Sequence, residues 1–404
     1  MRLLHTSDWH LGRTLHGLNL IAEQRQALDH IIDVARDKRV DAVLVSGDVF
    51  DRGVPPVEAV DLFHNALRRL AAFTTVVVTS GNHDSAIRLG YGADLFTDSV
   101  HVRTRVTPEH IGTPVELTDE HGPVLVFGLP WLDPDVARHR LAPADEALPR
   151  THEAAMSAAV EIVKSTVEKH EAEVGAPVRS VVLAHAFVGH IGRADDATPD
   201  QPAVSDSERD IAVGGVAIVP SHVFEGITYT ALGHLHGPQQ PRLDGTGTIR
   251  YSGSPLRYSF SEAGHTKSVT LVELGPDGGV DIELVDVPQP RPMAQIQGPI
   301  AELLTSDDHT EHEDAWVKAI VTDAVRPELM VDRLRGRFPH LLTTHHLPEG
   351  QPIDLGGVGP GTAVDPLQVV LSFIADATGR DATDDETDIV RTVFEQVRRE
   401  EENA

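Results

Sequence analysis

Ala42-Val43-Leu44-Val45 runs through Ser46 into Gly47-Asp48-Val49-Phe50-Asp51. A short apolar run rich in β-branched residues reads as a buried strand. The glycine and two carboxylates directly behind it read as a strand end that carries chemistry. The same arrangement recurs along the chain. Arg2–Thr6 leads into Asp8-Trp9-His10, and Thr75–Thr79 into Gly81-Asn82-His83-Asp84. Ser180–Leu183 leads into Ala184-His185, and Thr228–Leu232 into Gly233-His234-Leu235-His236; Val124–Phe127 reads as a further strand. Helical patterns lie between many of these runs. Ala22–Lys38 sets Leu28, Ile31, Ile32 and Ala35 on one face, and Val57–Leu70 does the same with Val60, Leu67 and Leu70. This alternation implies an α/β layered core with helices on both faces.

Ligands of open α/β sheets bind beyond the carboxyl ends of the strands. Five polar clusters at five strand ends therefore converge on one rim. Taken singly, each is weak or moderate: Asp-x-His is common and mostly structural, and a lone His185 after an apolar strand is more often a satisfied core residue. Gly-Asn-His-Asp is a stronger signal. All five in order, each behind a strand, leave the purely structural reading little room.

The chemistry of these residues is that of a hard or borderline cation site. With no cysteine among 404 residues, disulfides and thiolate-held metals are excluded. Any metal must be held by His, Asp, Glu, Asn or water, which suits manganese, iron or zinc. A two-metal hydrolase needs cations about 3.5–4 Å apart, and a bridging carboxylate suits that spacing, with Asp48 the natural candidate. Asp8 and His10 stand two apart, as do His234 and His236. On an extended segment both members of each pair point the same way, and the intervening Trp9 and Leu235 face the core. Gly47, Gly81 and Gly233 sit where strands break into turns, where glycine permits a positive φ or a close backbone approach.

In this order the motifs resemble the calcineurin-like metallophosphoesterase superfamily. Leu4-His5-Thr6-Ser7-Asp8-Trp9-His10-Leu11-Gly12 and Ser252-Gly253-Ser254-Pro255-Leu256-Arg257-Tyr258-Ser259-Phe260-Ser261-Glu262 are similar to its SbcD nuclease branch. The resemblance implies two divalent cations, typically manganese. Asp8, His10, Asp48 and His236 would surround one, and Asp48, Asn82, His185 and His234 the other. It also implies that His83 faces the scissile phosphate and assists the leaving group, with Asp84 orienting it. Asp51 stands where archaeal and eukaryotic relatives carry His; Asp51 and Arg52 are candidate substrate contacts. The implied activity is duplex 3′→5′ exonuclease and single-strand or hairpin endonuclease, stimulated by an SbcC-type coiled-coil ATPase. The expected assembly is a homodimer within a heterotetramer, with helices of Val57–Leu70 and Ile87–Phe96 at the dimer contact.

Two rivals exist. Asp48-Val49-Phe50-Asp51-Arg52-Gly53 is similar to the signature of phosphoprotein phosphatases. Those enzymes, however, carry Gly-Asn-His-Glu where this chain has Asp84, and they lack the Ser252–Glu262 segment. The chain could instead be a DNA-end tether with a vestigial site, but a scaffold has no need of the non-ligand His83. It has no Gly-x-x-x-x-Gly-Lys-Ser/Thr loop for ATP.

The Pro288-Gln289-Pro290-Arg291-Pro292 cluster follows the strand-like Val280–Val287 and suits a domain boundary. The expected organisation is a metallophosphoesterase core of sheets flanked by helices over 1–287, then a small α+β capping domain over 292–350 that contains a strand at Trp316–Val321 and a helix at Val325–Arg337. After a glycine-rich linker at Gly356–Gly361, a helical tail over 362–404 would bind the ATPase through two amphipathic helices. These begin at Asp365-Pro366 and at the capping-box spacing Thr383 to Glu386. The formal net charge of −28 would repel DNA at long range, so cations and local arginines, or a partner, must draw a phosphate in. Met1 leads straight into Arg2-Leu3-Leu4-His5, and no apolar run approaches the roughly 18 residues that span a bilayer. A soluble cytoplasmic protein with no membrane partner is expected.

Overall fold

The computed structural model describes residues 1–96, 98–142, 146–190, 218–348 and the single positions 205, 383, 387 and 391. Both expected tail helices and the Gly356–Gly361 linker lie outside them, but for those last three positions. No helix among the described residues is long and apolar enough to cross a membrane.

Two sheets carry the core. In the first, Arg2–Thr6, Ala42–Ser46, Thr75–Thr79 and Val100–Arg103 lie side by side and parallel, and the antiparallel pair Ser268–Leu274 and Val280–Asp286 completes the far edge. In the second, Thr248–Tyr251, Tyr229–Gly233, Arg179–His185 and Gly122–Leu129 are parallel, and Val115–Asp119 runs antiparallel at the edge. The two sheets pack face to face. Leu3, Ala42, Leu44 and Val77 of one meet Val124, Val126, Val181, Leu183, Tyr229 and Ala231 of the other. Alternate residues of the same strands face outward: Leu4, Val43, Val45, Val76 and Val78 pack under helices Ile21–Asp37 and Val57–Leu70. Leu125, Phe127 and Val182 pack under helix His152–Val174. The strands are therefore buried on both faces, which is why they read as continuous apolar runs without alternation. The helices cover the outer faces of two sheets rather than both faces of one.

Two expectations shift, at Val60 and at the helix over Val325–Arg337. Val60, expected on the buried face of its helix, is exposed; Ala59, Leu62, Phe63, Ala66 and Leu70 are the buried positions. Leu89 is buried, while its neighbours Ile87 and Tyr91 are 87% and 85% exposed. The helix expected over Val325–Arg337 spans only Met330–Arg337. Pro327 disfavours helical backbone at Arg326, and Leu329 adopts a left-handed φ of 50° immediately before the first turn.

After the proline cluster, Met293–Gly298, Trp316–Val321 and Leu341–His346 form a separate parallel sheet with its own core around Leu303, Val317, Leu334 and Phe338. Met293 and Trp316 pack into the core of the first sheet, so residues Met1–Leu347 form one compact unit.

Candidate metal centre

The carboxyl ends of five parallel strands, three from the first sheet and two from the second, meet at one rim. The turn after Arg2–Thr6 is laced to the turn after Ala42–Ser46: the backbone N–H groups of Asp8, His10 and Leu11 donate to the carbonyls of Gly47, Asp48 and Val49. Ligand atoms of Asp8, His10 and His236 lie within 4.8 Å of one another, as do those of Asp8, Asp48 and His185, and those of His10, Asp48 and His83. Asp48 stands between two halves. Its Oδ2 is 3.6 Å from His10 Nε2 and 3.5 Å from His185 Nε2. Asn82 closes the second half, with Oδ1 3.0 Å from His185 Nε2 and 3.1 Å from His234 Nδ1. All seven expected ligands are thus brought together.

The backbone that achieves this is unusual. Asp8, His10, Asp48 and His234 all carry positive φ values, 54°, 43°, 46° and 109°. The sequence reading of Asp8 and His10 as members of an extended segment is therefore corrected: the i,i+2 pair faces one way because left-handed turns aim it there. Such conformations strain residues that carry a Cβ and persist where the surroundings dictate them. Trp9 and Leu235 are buried as expected. Among the three turn glycines, Gly47 has a positive φ, 83°. Gly81 and Gly233 serve close approach instead. A Cβ on Gly81 would stand 2.1 Å from Asp48 Oδ1, and one on Gly233 would stand 1.9 Å from the Ser46 carbonyl oxygen.

Electrostatics divides the site. Burial raises the Asp8 carboxyl to about 6, against the pull of His185 and His236. Burial would also raise Asp48, but His185, through charge and a hydrogen bond, and then His10 outweigh it and hold Asp48 well below the usual range. Burial acts to lower His185, yet Asp48 and Asp8 raise it to about 9. His234 is lowered to about 3, chiefly by burial and then by His185, and His10 is pushed well below its usual value by burial. In this state a proton on His185 compensates the buried carboxylates. The His185 Nδ1–H points at the Ser46 carbonyl at 2.8 Å, so loss of the other ring proton would bare Nε2 toward Asp48 and Asn82.

The residues fit divalent cations. His10 Nε2 and His236 Nε2 face each other at 3.0 Å, and two imidazole lone pairs cannot do so without a proton or a cation between them. His10 Nδ1 is buried with no hydrogen-bond partner. Two buried carboxylates among mainly neutral imidazoles need positive charge, since an uncompensated buried ion costs several kcal/mol.

Residues 1–146 match the calcineurin-like phosphoesterase family. The chain is 32% identical over 351 residues to the SbcD subunit of the nuclease SbcCD from Bacillus subtilis (strain 168), covering 84% of each chain. The chain belongs to the SbcD family. As a member of that family it is a metal-dependent phosphodiesterase. Solved structures overlap more loosely. A Thermus thermophilus protein covers 70% of this chain and 98% of its own at 14% identity, with a TM-score of 0.36. A dimetal phosphatase from Danio rerio covers 71% and 99% at 13% identity, with a TM-score of 0.37. Overlap at that level bears on neither fold nor activity.

Beside the seven ligand-type residues lie the other expected site residues. The His83 backbone N–H donates to Asp48 Oδ1 at 2.9 Å, and its ring Nδ1 lies 2.8 Å from the Asp51 carbonyl. Asp84 does not orient that ring, contrary to expectation. Its carboxylate accepts from the backbone N–H groups of Gly81, Phe50 and Val49 and so ties two ligand loops together. Burial, then the Asp48 charge, raises it to about 6. Asp51 points inward: Oδ1 is 3.7 Å from His10 Nδ1 and 3.3 Å from Arg13 Nη1. Arg52 is exposed, with no hydrogen bond or ion pair among the described residues.

Sequence reasoning missed the supports. Buried Gln24 donates to the His10 carbonyl at 2.7 Å, and the Tyr258 hydroxyl donates to the Trp9 carbonyl. Ser7 Oγ donates to Asp8 Oδ2, as does the His234 backbone N–H. Trp131 stacks on the His234 ring at 5.5 Å. No local spacing marks these residues. Only Ser7, within Leu4–Gly12, and Tyr258, within Ser252–Glu262, carry a signal in the sequence.

Proposed function

We propose that this chain is a metal-dependent DNA nuclease, a 3′→5′ exonuclease on duplex ends and an endonuclease on single strands and hairpins, working with an SbcC-type ATPase in DNA repair and recombination. The observation that carries this reading is Asp48, whose one carboxylate lies within 3.6 Å of imidazoles of both half-sites while His83 stands against it. Asp8, His10, Asp48 and His236 would hold one cation, and Asp48, Asn82, His185 and His234 the other; nitrogen and oxygen donors of this kind suit Mn2+. When bound, such a pair supplies a water of lowered pKa and neutralises charge at phosphorus.

The chain's own groups do the rest. His83 Nδ1 is engaged by the Asp51 carbonyl, which leaves Nε2 to carry a proton to the departing 3′ oxygen. A cleft of about 620 Å³ opens beside Asn82 and is lined by Ile87, Arg105, Trp131 and Arg140. Arg105 and Arg140 stand there among Asp84 and Asp133, and Arg105 pairs with Asp94, so drawing in a strand against a net charge of −28 falls to the cations or the partner. The exposed Val57, Val60, Ile87, Tyr91 and Leu95 support a dimer contact on this side of the core, within a heterotetramer with the ATPase. The tail over 362–404 is the proposed grip on that partner, by helix-in-groove docking.

The test is a Mn2+-dependent assay of the full chain, and of a chain ending at Pro360, with and without the ATPase. The substrates are blunt duplex, a hairpin and a phosphopeptide. The expected result is DNA cleavage by the full chain, stimulated by the ATPase. The shortened chain should still hydrolyse a small phosphodiester but neither bind the ATPase nor respond to it. Turnover of the phosphopeptide without DNA cleavage would overturn the reading.

A further inference from the structure

The Ser252–Glu262 segment does more than mark a branch of the family. Its last residue, Glu262, is fully buried, and so is Lys267 five residues on. Buried charges of this kind are kept only when paired and hydrogen-bonded. Glu262 Oε2 is 2.6 Å from Lys267 Nζ. Its Oε1 lies 3.3 Å from His236 Nδ1. Lys267 Nζ also donates to the His236 backbone carbonyl at 2.8 Å and to Ser254 Oγ at 2.9 Å. Further donors steady the carboxylate: the Tyr258 backbone N–H at 3.3 Å and Ser259 Oγ at 3.1 Å.

We propose that Glu262 and Lys267 are positioning residues for His236. Glu262 fixes which ring nitrogen faces the cation site shared with Asp8 and His10, and Lys267 fixes both that carboxylate and the main chain that bears the ring. A carboxylate facing Nδ1 holds the ring hydrogen there and turns the Nε2 lone pair forward. Nε2 is the atom that stands 3.0 Å from His10 Nε2. His185 and His83 have their Nδ1 atoms against neutral carbonyls, those of Ser46 and Asp51. His236 rests on an anion. A carboxylate partner makes an imidazole a more basic ligand, so the pair strengthens the His236 half-site selectively.

The inference rests on the two-cation reading of this site. The alternative is a plain structural staple, which would lower fold stability and cation affinity together. The deciding variant is Glu262→Gln with Lys267→Met, which buries no unpaired charge. Mn2+ binding to the full chain is followed by calorimetry and by the Mn2+ electron paramagnetic resonance signal, and melting of the metal-free protein is measured alongside. The expected result is one of two Mn2+ bound about 10–100-fold more weakly, the other changed less than about threefold, and metal-free melting little changed. Should the double variant not fold, Glu262→Gln alone, which keeps an acceptor for Lys267, is read by the same measurements. Unchanged affinity at both sites, or weakening of both in step with lost metal-free stability, would overturn the proposal. If the unmodified chain itself fails to bind two Mn2+, the cation reading falls instead.

Discussion

Gly81→Ala places one methyl group against the shared carboxylate. The new Cβ would start 2.1 Å from Asp48 Oδ1, 2.4 Å from the Asp48 backbone N and 2.7 Å from its Cγ. Ordinary contact begins at about 3.4 Å, so the carboxylate and the turn that bears it must retreat by more than about 1 Å. The Asp48 side chain cannot escape alone, because its backbone N and the Gly81 backbone are themselves fixed: Gly81 N–H donates to Asp84, which also accepts from Val49 and Phe50. A misplacement of about 1 Å at a reacting centre costs on the order of 100-fold, or roughly 2.7 kcal/mol of barrier. Here it falls on both half-sites at once. The assay is Mn2+-dependent hydrolysis of a small phosphodiester, with metal content and melting measured on the same preparation. Gly336→Ala is the control. Gly336 sits in helix Met330–Arg337, and a Cβ there meets nothing within 4 Å, so it should leave activity unchanged and raise stability by about 0.5–1 kcal/mol. A Gly81→Ala protein with two bound ions and full activity would refute the close-approach argument.

The other outcomes follow from the same geometry. His83→Gln should retain both ions and lose about 10²–10⁴-fold in cleavage; elemental analysis showing an emptied site would make His83 a ligand instead. Cation binding should release protons, because His185, raised to about 9, must give up the proton that a cation replaces, and Asp8, raised to about 6, adds another at lower pH. Affinity should therefore fall as pH falls below about 9, by ~tenfold per pH unit for each proton displaced. Calorimetry in two buffers of different ionisation enthalpy checks this, and zero proton release would contradict it. Ile87→Glu, at an exposed apolar position, should move sedimentation from dimer to monomer; Leu89, being buried, would test folding instead.

Much of the core was legible because its strands are buried on both faces. Arg2–Thr6, Thr75–Thr79 and Trp316–Val321 have the bounds that their apolar runs imply. The same double burial hid the pairing of two sheets, since a strand apolar on both sides does not say which face meets a helix and which meets another strand. The convergence of the polar clusters on one rim was legible because each follows its strand directly. The left-handed backbone at Asp8, His10, Asp48 and His234 was not, because tertiary hydrogen bonds such as His10 N–H to the Asp48 carbonyl impose it. The role of Asp84 was hidden for the same reason: two of the N–H groups it accepts from, those of Val49 and Phe50, lie 35 and 34 residues away along the chain. Gln24, Glu262 and Lys267 act over still other loops, and no local pattern could link them to His10 or His236.

One carboxylate, that of Asp48, is assigned to two cations. Asp48→Asn, purified without chelator and equilibrated with Mn2+, should be analysed for bound metal and for cleavage of duplex DNA. Because Asp48 Oδ2 lies 3.6 Å from His10 Nε2 and 3.5 Å from His185 Nε2, both ions should be weakened together and cleavage lost. Loss of a single ion, with the second bound at its original affinity, would contradict the shared-ligand assignment.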